Sequence, residues 1–116
     1  MSLNLTENYN ASVIHLKGKL VGGPLSAEFS ETLHSLMEKG KKNVIVDMSH
    51  VGFISSSGLG ILISGLTSLK KGGGDLKLAA ISHKMEGLLS ITKLDQIFEQ
   101  YETVEQAEAS FNKPAG

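Results

Sequence analysis

The sequence contains no cysteine. That excludes disulfides and thiolate metal sites, and it fits a reducing compartment. There is no excess of either charge: 11 basic and 12 acidic residues leave a formal charge of −1. Nucleic-acid binders carry a clear basic surplus, so no direct nucleic-acid partner is expected. The two basic clusters, Lys39-Gly40-Lys41-Lys42 and Lys70-Lys71, each follow an expected helix, where cations complement the helix dipole. No apolar run is long enough to span a bilayer. The longest, Ile61 to Leu69, is broken by Ser64, Gly65 and Thr67. Met1-Ser2-Leu3-Asn4 supplies neither a charged n-region nor an apolar h-region. Together these absences predict a soluble, cytoplasmic protein with no membrane span.

Catalytic and cofactor signatures are missing as well. The triple glycine Gly72-Gly73-Gly74 is not followed by GK[ST], so it reads as a helix stop rather than a phosphate loop. The four histidines, His15, His34, His50 and His83, are scattered, with no H-x-x-x-H pair and no carboxylate cluster. Ile54 occupies the first glycine position of a Gly-x-Ser-x-Gly nucleophile elbow. No metal, cofactor or catalytic residue is expected, and the chain does not read as an enzyme.

What is present is one domain's worth of α/β pattern in 116 residues, 41% apolar and 20% charged. Residues 3–9 and 12–18 read as a strand pair turning at Asn10-Ala11. Gly22-Gly23-Pro24 precedes an amphipathic helix over 24–39, carried by Leu25, Phe29, Leu33, Leu36 and Met37 and stopped by Gly40. Val44-Ile45-Val46 is a buried-strand run ending at Asp47, which reads as a turn-capping residue at the same end of the sheet as the serines that follow. A second helix is expected near 57–70 and a strand over 76–81. Ser82 would cap a helix to about Ile91, with Met85, Leu88 and Leu89 inward. A short strand over 97–101 follows. Thr103 with Gln106 opens a final helix to about Phe111 as a capping box. Strands alternating with helices predict a mixed sheet of about five strands packed against about four helices, joined by right-handed crossovers. The domain spans 1–112, with 113–116 as a frayed tail.

The segment that carries chemistry is Ser55-Ser56-Ser57-Gly58. It sits between the apolar Val51, Phe53 and Ile54 and a helix opening with Gly58-Leu59-Gly60. A helix N-terminus offers free backbone N–H groups. One serine serves as the cap, with Ser56 or Ser57 the natural choice, and three exceed what capping needs. Gly58 and Gly60 bare the first turn for close approach by another chain or a phosphate.

The stretch Val51-Gly52-Phe53-Ile54-Ser55-Ser56-Ser57-Gly58-Leu59-Gly60-Ile61-Leu62 resembles the signature of STAS domains, and most of all that of the bacterial anti-sigma factor antagonists. Gly18-Lys19-Leu20 resembles the Gly-x-Leu after that family's second strand. Val44-Ile45-Val46-Asp47-Met48-Ser49 and Gly73-Gly74 with Leu76-Lys77-Leu78 resemble the flanking strands. The resemblance implies a partner switch. An anti-sigma factor that is also a serine kinase would phosphorylate Ser56, the unphosphorylated form would bind that kinase, and a serine phosphatase would reset it. Ser55, Ser57, Gly58, Leu59, Phe53, Val21 and Gly22 would form the partner-binding surface. Val21 stands where many antagonists carry an aspartate. This departure keeps open a non-switching STAS adaptor, or a small-ligand or nucleotide sensor within a larger complex.

Overall fold

The apolar residues of the central strands alternate between two cores, and that alternation sets the layering of the molecule. The computed structural model describes residues 2–8 and 10–112. In chain order the elements are β1 (Ser2–Glu7), β2 (Ser12–Leu20), α1 (Pro24–Glu38), β3 (Asn43–Ile54), α2 (Ser56–Lys71), β4 (Asp75–Ala79), α3 (His83–Ile91), a 3-10 turn (Leu94–Gln96), β5 (Glu99–Tyr101) and α4 (Val104–Asn112). The strands lie in chain order across one mixed sheet. β1 is antiparallel to β2, and the remaining pairs are parallel. When parallel strands step in one direction, right-handed crossovers place every connecting helix on the same face. Accordingly α1, α2 and α3 share one face. α4 covers part of the other, its Ala107 packed on Val13, Ile45 and Ala79.

Ile14, Leu16, Val44, Val46, Leu76 and Leu78 meet Phe29, Leu33, Leu36, Leu62 and Leu69 in the larger core. Val13, Ile45 and Ala79 point the opposite way, onto Ala107 of α4 with Val104 and Phe111 at its margin. Burial on both faces is the reason Val44-Ile45-Val46 is apolar without interruption. Lys77 is buried beneath α4: its ammonium donates to Ser110 Oγ at 2.6 Å and lies 4.1 Å from the Phe111 ring centroid.

The expected order of elements holds. Several strand boundaries differ, among them the end of β4 at Ala79 rather than residue 81 and the start of β5 at Glu99 rather than residue 97; for β3 the difference has a plain physical reason. The expected end of β3 at Asp47 is wrong: the strand continues to Ile54. β4 pairs with β3 only as far as Asp47↔Ala79, so from Met48 onward β3 is bonded to β2 alone. A strand with solvent along one side needs no continuous apolar run, and Ser49, His50 and Gly52 broke the pattern. Asp47 is thus mid-strand and does not reach the sheet end that carries the serines.

The stop at Gly40 takes the expected left-handed form, with φ 77°. The triple glycine also behaves as a helix stop, Gly74 N–H returning to the Leu69 carbonyl at 2.7 Å. Ser82 caps α3 through Met85 N–H at 3.2 Å. Thr103 caps α4 through Gln106 N–H at 3.1 Å, while Gln106 Oε1 reaches back to Glu102 N–H. The side chain of Leu25, Tyr9 and the tail at 113–116 lie outside the described residues. Among the described residues no helix is long and apolar enough to cross a membrane.

Candidate functional site: the serine turn

The β3–α2 junction is built on the carbonyl of Leu20, the last residue of β2. Ser55 N–H donates to that oxygen at 3.0 Å. Ser55 then caps α2 in extended conformation, its Oγ accepting from Gly58 N–H at 3.1 Å. This corrects the expectation that Ser56 or Ser57 would be the cap. The Leu20 carbonyl holds the Ser55 N–H at the end of β3, so Ser55 has the cap position and Ser56 and Ser57 are the first two helical residues. Ser55 is half-buried, whereas Ser56 and Ser57 are exposed. Among the described residues the Ser56 hydroxyl has no hydrogen-bond partner.

Gly58 is buried, and a Cβ there would overlap the Leu20 carbonyl oxygen and lie 3.0 Å from Ile54 Cγ1. Glycine is what lets α2 start this close to β2. A Cβ on Gly22 would lie 3.5 Å from Ser57 Cβ, so the β2–α1 loop abuts the turn. Val21 in that loop is 39% exposed and Phe53 is 46% exposed. Leu59 is placed differently from the sequence reading: it packs in the larger core with Val51 and offers no side chain to a partner. The surface at this end is therefore Val21, Gly22, Phe53, Ser56 and Ser57. Beside Phe53 an open apolar groove of about 450 Å³ runs along α3, lined by Ile54, Met85, Leu88 and Ile91 among others.

No acidic side chain occupies the first turn of α2. Its N-terminus therefore keeps the partial positive charge of free N–H groups, which favours an anion. Among the described residues no group of three or more His, Asp or Glu side chains is arranged to hold a metal. No histidine hydrogen-bonds to Ser56 among the described residues.

The sequence reading missed one polar cluster on the sheet face toward α4. His15 and Asp47 are register partners on β2 and β3, with Nδ1 and Oδ2 2.7 Å apart. Thr6 Oγ1 lies 3.0 Å from His15 Nε2. Burial tends to push the Asp47 carboxyl up. Hydrogen bonds from Ser49 N–H and His15 outweigh this and hold it below its ordinary value. The only sequence signal was that His15 and Asp47 fall on the same alternate positions of neighbouring strands, which requires the register to recognise.

The family model for the STAS domain matches residues 2–107. A Thermotoga maritima protein named "Putative anti-sigma factor antagonist" is 34% identical over 71 residues, covering 61% of this chain and 63% of that protein. The "Anti-sigma-B factor antagonist" of Staphylococcus aureus is 26% identical over 109 residues, covering 90% of this chain and 98% of the relative. The solved structure of the Thermotoga maritima protein superposes with a TM-score of 0.87 at 22% identity, covering 96% of this chain and 95% of that one. The Bacillus cell fate determinant SpoIIAA in its phosphorylated form superposes at 0.73 with 20% identity, covering 94% and 98%. These structural likenesses establish the fold. With the family model matched from β1 into α4, on a sheet and helix arrangement shared with those structures, the chain belongs to the STAS domain family.

Proposed function

We propose that this protein is an anti-sigma factor antagonist that binds an anti-sigma factor serine kinase when Ser56 is unmodified and releases it when Ser56 is phosphorylated. The names of its relatives support the antagonist role. The observation that carries the switch is the division of labour in the turn: Ser55 holds the cap, and Ser56 presents a spare hydroxyl at the first position of α2. A phosphate there adds roughly −1.5 to −2 charges at neutral pH. The helix N-terminus tolerates that charge, so the fold survives modification. A partner seated on Val21, Phe53 and the turn would have to bury it. Leaving a charge buried and unpaired costs several kcal/mol, which corresponds to a loss of affinity of about a hundredfold or more. A serine phosphatase resets the switch.

The test pairs the protein with the anti-sigma kinases of its own genome in the presence of ATP. Intact mass should show one added phosphate, absent from Ser56→Ala, and the phosphorylated protein should bind the kinase at least about a hundredfold more weakly. Failure of every such kinase to modify Ser56, or unchanged affinity after modification, refutes the switch. A second reading, a constitutive adaptor that docks without phosphorylation, is favoured by one observation: the loop whose Gly22 abuts Ser57 carries an exposed apolar side chain, Val21, next to that glycine. Tight binding of the partner with no modification of Ser56 would select it.

A further inference from the structure

Thr6, His15 and Asp47 lie on three successive strands, β1, β2 and β3, beside α4. Thr6 Oγ1 is 3.0 Å from His15 Nε2, and His15 Nδ1 is 2.7 Å from Asp47 Oδ2. Asp47 Oδ1 in turn accepts from Ser49 N–H at 3.0 Å. An ionised carboxylate can only accept hydrogen bonds, so the proton of a neutral His15 sits on Nδ1. Nε2 then has its lone pair toward the Thr6 hydroxyl. Exposure is graded along the chain of groups: the Asp47 side chain is 11% exposed, the His15 side chain 35%, and Thr6 is exposed. A buried carboxylate orienting an imidazole that faces an accessible hydroxyl is the arrangement that activates a nucleophile.

We propose that Thr6 is a nucleophile with His15 as its general base and Asp47 positioning His15, and that it accepts acyl groups from activated carboxylic esters. The register supplies an oxyanion donor. Asn8 N–H donates to the Ala11 carbonyl, which makes Asn8 and Ala11 a hydrogen-bonded pair. Antiparallel pairs alternate between bonded and non-bonded. Thr6–Val13 is therefore bonded and Glu7–Ser12 is not. Among the described residues β1 has no second neighbour, so the N–H of Glu7, the residue after the nucleophile, points off that edge of the sheet. In the reaction Thr6 Oγ1 bonds to the acyl carbon while its proton passes to His15 Nε2. The bond from acyl carbon to leaving oxygen breaks, and the proton returns from His15 to the departing alkoxide or to solvent. Water attack on the acyl-threonine, with its proton taken by His15, restores the hydroxyl.

This inference is independent of the partner switch. The full chain is incubated with p-nitrophenyl acetate, nitrophenol release is followed, and the acetyl group is located by intact mass and peptide mapping. A single acetyl on Thr6 is expected. Thr6→Ser should retain it, and His15→Gln should slow Thr6 acetylation about a hundredfold, the lower end for removal of a general base. Asp47→Asn should slow it about tenfold and abolish the downfield Nδ1–H proton resonance of His15, a signature that lost packing alone would not remove. Urea midpoints confirm that each variant is folded. The proposal is overturned if the wild-type protein carries acetyl only on lysines or the amino terminus, or if His15→Gln acetylates Thr6 at the wild-type rate. Asp47→Asn with unchanged rate and resonance removes the positioning role.

Discussion

Gly58 and Gly60 stand two residues apart in the first turns of α2, and replacement by alanine should move stability in opposite directions at the two. At Gly58 a Cβ overlaps the Leu20 carbonyl oxygen and lies 2.9 Å from the Leu20 carbonyl carbon. Both atoms are backbone, fixed by the Ser55 N–H bond at 3.0 Å and by the parallel pairing of Leu20 with Ile54. They cannot move aside as a side chain would. Overpacking of this kind costs up to about 3 kcal/mol. Displacing α2 also strains the Gly58 N–H to Ser55 Oγ cap, worth about 1 kcal/mol. The intrinsic helix preference of alanine returns about 1 kcal/mol. The balance is a loss of about 2–3 kcal/mol, or roughly 8–12 °C in Tm for a domain of this size. At Gly60 a Cβ meets nothing within 4 Å, so only the propensity gain remains, a rise of about 0.5–1 kcal/mol. Urea unfolding and thermal melts followed by circular dichroism measure both variants. Gly58→Ala as stable as the wild type would refute the close approach of α2 to β2. Gly60→Ala less stable by more than 1 kcal/mol, a threshold set by the propensity scale, would refute the open environment of that residue.

Ser55→Ala should destabilise the protein by about 1 kcal/mol through loss of the cap, while Ser56→Ala should leave the urea midpoint unchanged; equal effects at the two would refute the assignment of the cap to Ser55. Asp47 should contribute to the acid limb of stability. Its folded-state pKa lies below the ordinary aspartate value of 3.8, so the folded state binds the proton less readily than the unfolded chain. That contribution is complete above the unfolded value and is lost as pH falls through the folded one. Asp47→Asn should therefore lose less stability than the wild type when pH is lowered from neutral to about 3, as read by urea midpoints across that range. Identical slopes in the two proteins would refute it.

Much of this molecule is legible in local pattern. The helical spacing of Phe29, Leu33 and Leu36, the apolar run Val44-Ile45-Val46, the stops at Gly40 and Gly72-Gly73-Gly74, and the caps at Ser82 and Thr103 are all properties of short segments. So is the motif from Phe53 to Leu59 that marks the family. These features depend on backbone conformation and on periodicity within a dozen residues, and one chain segment carries them whole.

Three matters were decided only by tertiary structure. The length of β3 depends on where β4 stops pairing with it, a relation between strands some thirty residues apart. The choice of Ser55 over Ser56 as the cap goes with the Leu20 carbonyl that holds the Ser55 N–H beneath the turn, and it leaves Ser56 exposed. The alignment of Thr6, His15 and Asp47 needs the register of three strands, because side chains from separate strands meet only when the ladder brings them opposite. Periodicity says which residues turn inward; it does not say which inward or outward neighbour each will meet, and that is settled by hydrogen-bond register and by how closely a helix with glycine in its first turn can approach a strand.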